Sequence, residues 1–243
     1  GTAAEDTLPL LTDLHVAYIQ SLDKVRLSPS SSSSSAPSLI SLNSHRSTMP
    51  QKRDDLAYYY TEHLRMNGIY WGLTALALLG RTDALSRDDM LEWVLSCWVP
   101  DAGAFAPHPG HEPHLHPTLS AIQILATHDA LDRVDSDRIV AVRLALSLPR
   151  AQPHLRLLLT GALTHAVVLS LQDPVRGSFA GDQWGEQDSR FSYCAVSCLS
   201  LLGRLDALDK TKTVTFIERC RNFDGGFGMV EGAESHAAYG ASL

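Results

Sequence analysis

The sequence predicts an all-α fold built from repeated helix pairs. Three observations predict it. One phrase occurs three times: Gly103-Ala104-Phe105 with His114 nine residues past the phenylalanine, Gly177-Ser178-Phe179 with Asp188, and Gly225-Gly226-Phe227 with His236. A second echo pairs Leu78-Leu79-Gly80-Arg81 with Leu201-Leu202-Gly203-Arg204, and Gly80 to Cys97 matches Gly203 to Cys220 at 17 positions each. There is no convincing strand signal. Glycine, aromatic and polar residues in fixed register mark a repeat protein, in which each helix pair leaves an apolar face for its neighbours to cover.

Residues 1–24 form the first element. Leu10, Leu11, Leu14, Ala17, Tyr18 and Leu22 have helical spacing, and Thr12 or Asp13 can cap the start. Residues 25–52 carry the serine run Ser30 to Ser35 with prolines and are expected to be a disordered insert. Residues 53–243 hold the repeats. Leu64 to Leu79 reads as a mostly buried helix, ended by Gly80. Beyond each echo comes an amphipathic helix, with Met90, Leu91, Val94 and Leu95 in one copy and Val214, Phe216 and Ile217 in another. Asp132-Arg133-Val134-Asp135 opens the middle copy.

The middle unit is too long. Asp83 to Cys97 and Asp206 to Cys220 each span 14 positions, whereas Asp132 to Leu171 spans 39. The surplus of 25 falls at about 142–167, where Pro149 and Pro153 interrupt what should be one helix. Without it, Ile139-Val140-Ala141 runs into Val168-Leu169 in helical period. Both intrusions open with Val-Arg-Leu, at Val25 and Val142, and every Val codon begins with GT, as a usual intron does. We read both as translated introns and the ending Ala238 to Leu243 as a third; the alternative is a pair of family-specific loops. A spliced message that retains both stretches would overturn the intron reading.

Composition excludes some functions. The 243 residues can bury a sizeable core. A net charge of −7 without a basic stripe argues against a nucleic-acid partner. Cys97, Cys194, Cys198 and Cys220 form no CxxC pair and fit reduced core positions of an intracellular, cytoplasmic protein. No signal peptide is evident. The most apolar stretch, Leu155 to Leu171, is short and holds Arg156 and His165, so no membrane span is expected.

His108, His111, His114 and His116 have the short spacing of some zinc sites. Pro107, Pro109, Pro113 and Pro117 break the stretch, and it has no helical His-x-x-x-His pair, so they are expected to be loop histidines at a rim. Glu186 and Asp188 could form a carboxylate pair, but a helix-capping role is the expectation. Cys194 and Cys198 share a helix face and lack further ligands, which favours core packing.

Five longer phrases are more specific. They are Leu64-Arg65-Met66-Asn67-Gly68-Ile69-Tyr70-Trp71-Gly72-Leu73, Gly110-His111-Glu112-Pro113-His114-Leu115, Gly177-Ser178-Phe179-Ala180-Gly181-Asp182-Gln183-Trp184-Gly185-Glu186, Arg190-Phe191-Ser192-Tyr193-Cys194-Ala195 and Asn222-Phe223-Asp224-Gly225-Gly226-Phe227-Gly228. Together they resemble the protein prenyltransferase β subunits, and within that family the Rab geranylgeranyltransferase (type II) branch. The resemblance implies an α/α toroid of helix pairs, of which this chain would supply about half.

It also implies transfer of geranylgeranyl from its diphosphate to C-terminal cysteines of Rab proteins, forming a thioether. A zinc ion activates the thiolate, a prenyltransferase α subunit completes the enzyme, and a Rab escort protein presents the Rab. By matching positions, His236 with Ala237 and Ala238 would lie at the diphosphate. Arg190 and Tyr193 would flank the lipid, and Asn67, Trp71 and Leu119 would line the pocket and set its depth. Farnesyl-transferring relatives place a large aromatic where this chain has Asn67, so the small side chain favours the longer lipid. The family's zinc ligands, an Asp-x-Cys pair and a later histidine, have no match up to Leu243, so no catalytic residue or metal ligand is assigned. The chain as it stands is expected to be inactive; stoichiometric zinc with prenyl transfer would overturn that. Two other readings stay open. Another prenyltransferase or a terpene cyclase could use the same toroid, although no DxDD-type motif is present. A non-catalytic helical-repeat binding module is the third.

Overall fold

The structure, a computed structural model, describes residues 10–23, 56–140 and 168–242. The expected Ser-rich insert at 25–52 and the surplus at 142–167 lie outside the described residues. The first helix, α1 (Thr12–Asp23), lies within the expected stretch. Its buried Val16 and the bond from Gln20 Nε2 to the Ala84 carbonyl (2.9 Å) dock it on the turn after the next long helix.

The short α2 (Leu56–Thr61) leads through a 3₁₀ turn, Glu62–Leu64, into α3 (Arg65–Leu78). Helix pairs follow: α3 with α4 (Arg87–Ser96), α5 (Leu115–Thr127) with α6 (Ser136–Val140), and α7 (Ser189–Leu201) with α8 (Lys210–Arg219). Then α9 (Ala237–Ser242) begins. One layer runs α3, α5, α7, α9, each packed on the next. α5 is sandwiched in this layer, and from Leu115 to Leu125 nearly every side chain is buried. Met66, Ile69 and Leu73 of α3 join Leu91 and Val94 of α4 and Ile124 of α5 in one core cluster. Leu119 and Ile122 of α5 join Ile139, Val168, Phe179 and Leu199 in the second. Trp98, Leu131 and Val134 pack against both, so the two clusters form a continuous interior.

Each long helix of that layer ends in the same way. Arg81 N–H donates to Leu76 O (2.8 Å) across Gly80 at φ +67°, and Arg204 N–H donates to Leu199 O (2.7 Å) across Gly203 at φ +67°. This is the reverse turn that glycine favours after a helix. α5 makes it without glycine: Ala130 N–H donates to Leu125 O (2.8 Å), and Asp129 takes φ +50°. The middle echo thus keeps its geometry where its sequence lacks the glycine.

The repeat register extends to single hydrogen bonds. Ala106 N–H donates to Cys97 O (2.9 Å), Ala180 N–H to Leu171 O (3.0 Å) and Gly228 N–H to Cys220 O (2.9 Å). Leu171 therefore stands where Cys97 and Cys220 stand. Val168 N–H also donates to Ile139 O (3.2 Å).

The all-α class holds, with one addition in the loops. Trp98–Val99 (β1) and Ala104–Phe105 (β2) form an antiparallel pair, with Trp98 opposite Phe105. Gln172 and Phe179, and Arg221 and Phe227, form single bridges at equivalent places. Two residues are too few for a period-2 pattern, so the sequence could not announce them.

The loops also lock repeat to repeat. Met66 N–H donates to Pro107 O (3.1 Å), Leu115 N–H to Gly181 O (2.8 Å) and Ser189 N–H to Met229 O (2.8 Å). Each acceptor lies two residues past the Phe of the following repeat. A donor that a helix start leaves unpaired is thereby satisfied by the next unit.

Candidate functional site

The polar residues of the repeated phrase gather at the starts of the packed helices. The residues nine past each phenylalanine are the N-caps. His114 Nδ1 accepts from His116 N–H (3.1 Å), Asp188 Oδ1 from Arg190 N–H (2.8 Å) and His236 Nδ1 from Ala238 N–H (3.1 Å). The capping role expected for Asp188 is what the structure shows, and it extends to both histidines. Burial holds His114 below the ordinary imidazole range, against the opposing pull of Asp182 and Glu186. Its ring packs edge-on to Phe191 at 5.2 Å.

The interlocking bonds align α3 with the later helices and define a second set. Asn67, His116 and Arg190 each directly follow an interlocked residue, and Ala238 has the same register in α9. Asn67 is buried; its Nδ2 lies 3.2 Å from His116 Nδ1, and its Oδ1 accepts from Ser120 Oγ at 3.1 Å. Arg190 Nε and Nη2 both donate to Oδ2 of the buried Asp188, at 2.9 and 2.6 Å. These bonds raise the guanidinium further above its ordinary range, so it stays charged. The guanidinium lies 5.5 Å from the Tyr239 ring centroid, and the His236 ring meets the same tyrosine edge-on at 5.6 Å. The charge of Arg190 also reaches His116. A polar row therefore runs from Asn67 through His116 and Arg190 to His236, with helix N-termini behind it.

The eight sequence-derived positions divide. Asn67 and Arg190 lie in the row, with His236 and the exposed Ala237 and Ala238 at its end. Trp71 (55% exposed) and Tyr193 (41%) present aromatic surface. Leu119 is buried among the helices. Asn67 is not a bare gap in a wall, because two neighbours hydrogen-bond it. An open groove along α3 and α5, lined by Tyr70, Thr74, Gln123 and Thr127 with Leu201 of α7, contains none of the eight. Sequence reasoning set His116 among the loop histidines, whereas it lies in the first turn of α5 and belongs to the row. The ruler could have found it: it stands eleven past Phe105, as Arg190 stands eleven past Phe179.

The other rim histidines take a separate place. His111 Nε2 lies 2.8 Å from Glu62 Oε2, and Glu62, His108 and His111 bring one ligand atom each within 4.8 Å of one another. The four cysteines are free and buried, as expected. Burial pushes the thiols of Cys97 and Cys194 up to about 12 and that of Cys220 to about 11.

Residues 44–242 match the family model of the prenyltransferase alpha-alpha toroid domain. The chain belongs to that toroid family. It is 42% identical to the geranylgeranyl transferase type-2 subunit beta of Saccharomyces cerevisiae, over 96% of this chain and 56% of that one. It is 41% identical to the Candida albicans subunit of the same name, over 82% of this chain and 52% of that one. This prenyltransferase-toroid chain spans about half the length of the curated relatives it matches. A solved structure, Candida albicans protein geranylgeranyltransferase-I complexed with GGPP, superposes with a TM-score of 0.56 at 16% identity, over 73% of this chain and 47% of that one. That likeness supports the toroid fold. Among the described residues, no helix of the toroid chain is long and apolar enough to cross a membrane.

Proposed function

We propose that the chain is part of the β subunit of a Rab geranylgeranyltransferase (type II), which moves geranylgeranyl from its diphosphate to C-terminal cysteines of Rab proteins. The names of the relatives above 40% identity support this reading. The observation that carries it is the row from Asn67 to His236, with Arg190 pinned at its centre. In the reaction a C–S bond forms as the C–O bond to the diphosphate breaks. Arg190, with His236 and His116 beside it, meets the negative charge that develops on the leaving group. Trp71, Tyr193 and Leu119 then serve the apolar tail. The α subunit, a Rab presented by its escort protein, and a cytoplasmic setting belong to the same proposal.

Zinc needs a separate test against the residues present. All four cysteines are buried in the helix core, and the 243 residues contain no Asp-x-Cys motif. The family's cysteine-containing zinc site does not fit here, and no step above passes through it.

The test is titration of a fluorescent geranylgeranyl diphosphate analogue into the chain co-purified with the α subunit. Arg190→Ala and His236→Ala should each weaken binding about tenfold or more, as loss of a charge-assisted contact does. Undiminished binding in both variants would overturn the assignment. A second reading is a non-catalytic repeat module that holds an α-type partner. Retention of the α subunit without diphosphate binding would support that module instead.

A further inference from the structure

We propose that Glu62, His108 and His111 form a divalent-metal site of the zinc class. The site would tie the Pro107-to-Pro113 loop to the turn that opens α3. It shares no residue with the row described above. It also lacks the cysteine of the zinc site implied by the family resemblance.

The donor set is two imidazoles and one carboxylate, a combination that suits Zn²⁺ and leaves a fourth position for water. The three ligand atoms already converge within 4.8 Å. Bonds of about 2.0–2.2 Å would place them a little over 3 Å apart, so the site needs to contract by no more than about 1.5 Å. One edge is already tight, with His111 Nε2 at 2.8 Å from Glu62 Oε2. A metal would replace the proton that now joins those two atoms.

The tautomer of His108 is determined by its partner. Its Nδ1 lies 3.0 Å from the Pro109 carbonyl, which can only accept, so Nδ1 carries the proton and Nε2 keeps its lone pair. A histidine that donates its other N–H to a backbone carbonyl is the usual oriented metal ligand. The ring is further placed by Trp93, edge-on at 6.2 Å, and by His111 at 5.5 Å.

The framework is set before any ion arrives. Met66 N–H holds the Pro107 carbonyl (3.1 Å), His111 N–H closes a turn on His108 O (3.1 Å) and His114 N–H reaches Phe105 O (3.2 Å). Pro107, Pro109 and Pro113 limit the loop further. The Glu62 side chain is only 16% exposed and that of His111 36%, so ions can reach the site while bulk water is largely kept out. The prolines that argued against a helical histidine pair instead shape a loop that brings two of the four histidines to a carboxylate 46 residues earlier than His108.

The test uses the metal-stripped chain, with Co²⁺ and Zn²⁺ as probes. Equilibrium dialysis should find one equivalent of either ion. The Co²⁺ form should show visible d–d bands without a thiolate-to-cobalt charge-transfer band. Zn²⁺ should raise the melting temperature by several degrees. Glu62→Gln and His108→Ala should each weaken binding roughly 100-fold and abolish the thermal shift, whereas His63→Ala should change neither. Should His108→Ala fail to fold, His108→Cys carries the test, because it should add a thiolate-to-cobalt band. Binding that survives both Glu62→Gln and His108→Ala would overturn the proposal. So would a thiolate band in the unaltered chain, absence of stoichiometric binding, or absence of the new band in His108→Cys.

Discussion

Arg190 folds back on Asp188 and donates to both of its carboxylate oxygens, through the backbone N–H to Oδ1 (2.8 Å) and through Nε and Nη2 to Oδ2 (2.9 and 2.6 Å). One buried carboxylate thus caps α7 and aims the cation at the centre of the polar row. The two duties can be separated. Asp188→Asn keeps a capping oxygen and should cost under about 1 kcal/mol of stability, yet it loses the charge that holds Arg190. Asp188→Ala removes both and should cost about 1–2 kcal/mol from the cap alone. Denaturant unfolding reads the stability difference. Titration with the fluorescent diphosphate analogue should find binding weakened in both variants.

Gly181 and Gly68 should respond oppositely to alanine. A Cβ on Gly181 would stand 2.4 Å from His114 Nε2 and 2.6 Å from Phe191 Cζ, at the point where Leu115 N–H takes the Gly181 carbonyl. Overpacking there should cost about 1–3 kcal/mol. Gly68 lies inside α3 with nothing within 4 Å of a new Cβ, so Gly68→Ala should stabilise by about 0.5–1 kcal/mol. Equal melting temperatures for the two variants would contradict the interlock.

Acid should loosen the α5 start. The folded pKa of His114 is depressed by burial, so the unfolded chain binds its proton more readily. Its contribution is complete above the unfolded value, about 6.5, and is lost as pH falls below that toward the folded value. Protonation at Nδ1 also removes the acceptor for His116 N–H. Melting temperature should therefore drop between pH 7 and pH 5. His114→Asn, which keeps a capping oxygen without a titrating ring, should drop less over the same interval.

Asn67 and Ser120 should behave as a coupled pair. Both are buried, and the Ser120 hydroxyl donates to Asn67 Oδ1 at 3.1 Å. Asn67→Ala leaves that hydroxyl without its acceptor and should cost about 1–3 kcal/mol. The double variant Asn67→Ala/Ser120→Ala should cost less than the sum of its singles, by about 0.5–1.5 kcal/mol. Strict additivity in a double-mutant cycle would mean that the bond contributes nothing.

Much of the fold was legible because repeats compare a chain with itself. Phe105, Phe179 and Phe227 set a ruler, and its marks fell on caps at His114, Asp188 and His236. The two-residue strands escaped notice because so short a pairing has no periodicity. Asp129 was not legible as a helix stop, since its positive φ is imposed by the turn geometry and not by an absent side chain.

The sequence alone determined the helix-pair architecture, the register of its loops and the family resemblance, because these follow from local spacing. Tertiary structure decided which polar residues meet. Asn67 found His116, Arg190 found Tyr239, and Glu62 found His108 and His111. Those partners lie up to 49 residues apart in the chain. Only the stacking of one helix pair on the next brings them within hydrogen-bonding or ligand distance, and no local pattern records which carbonyl, ring or carboxylate will be waiting there.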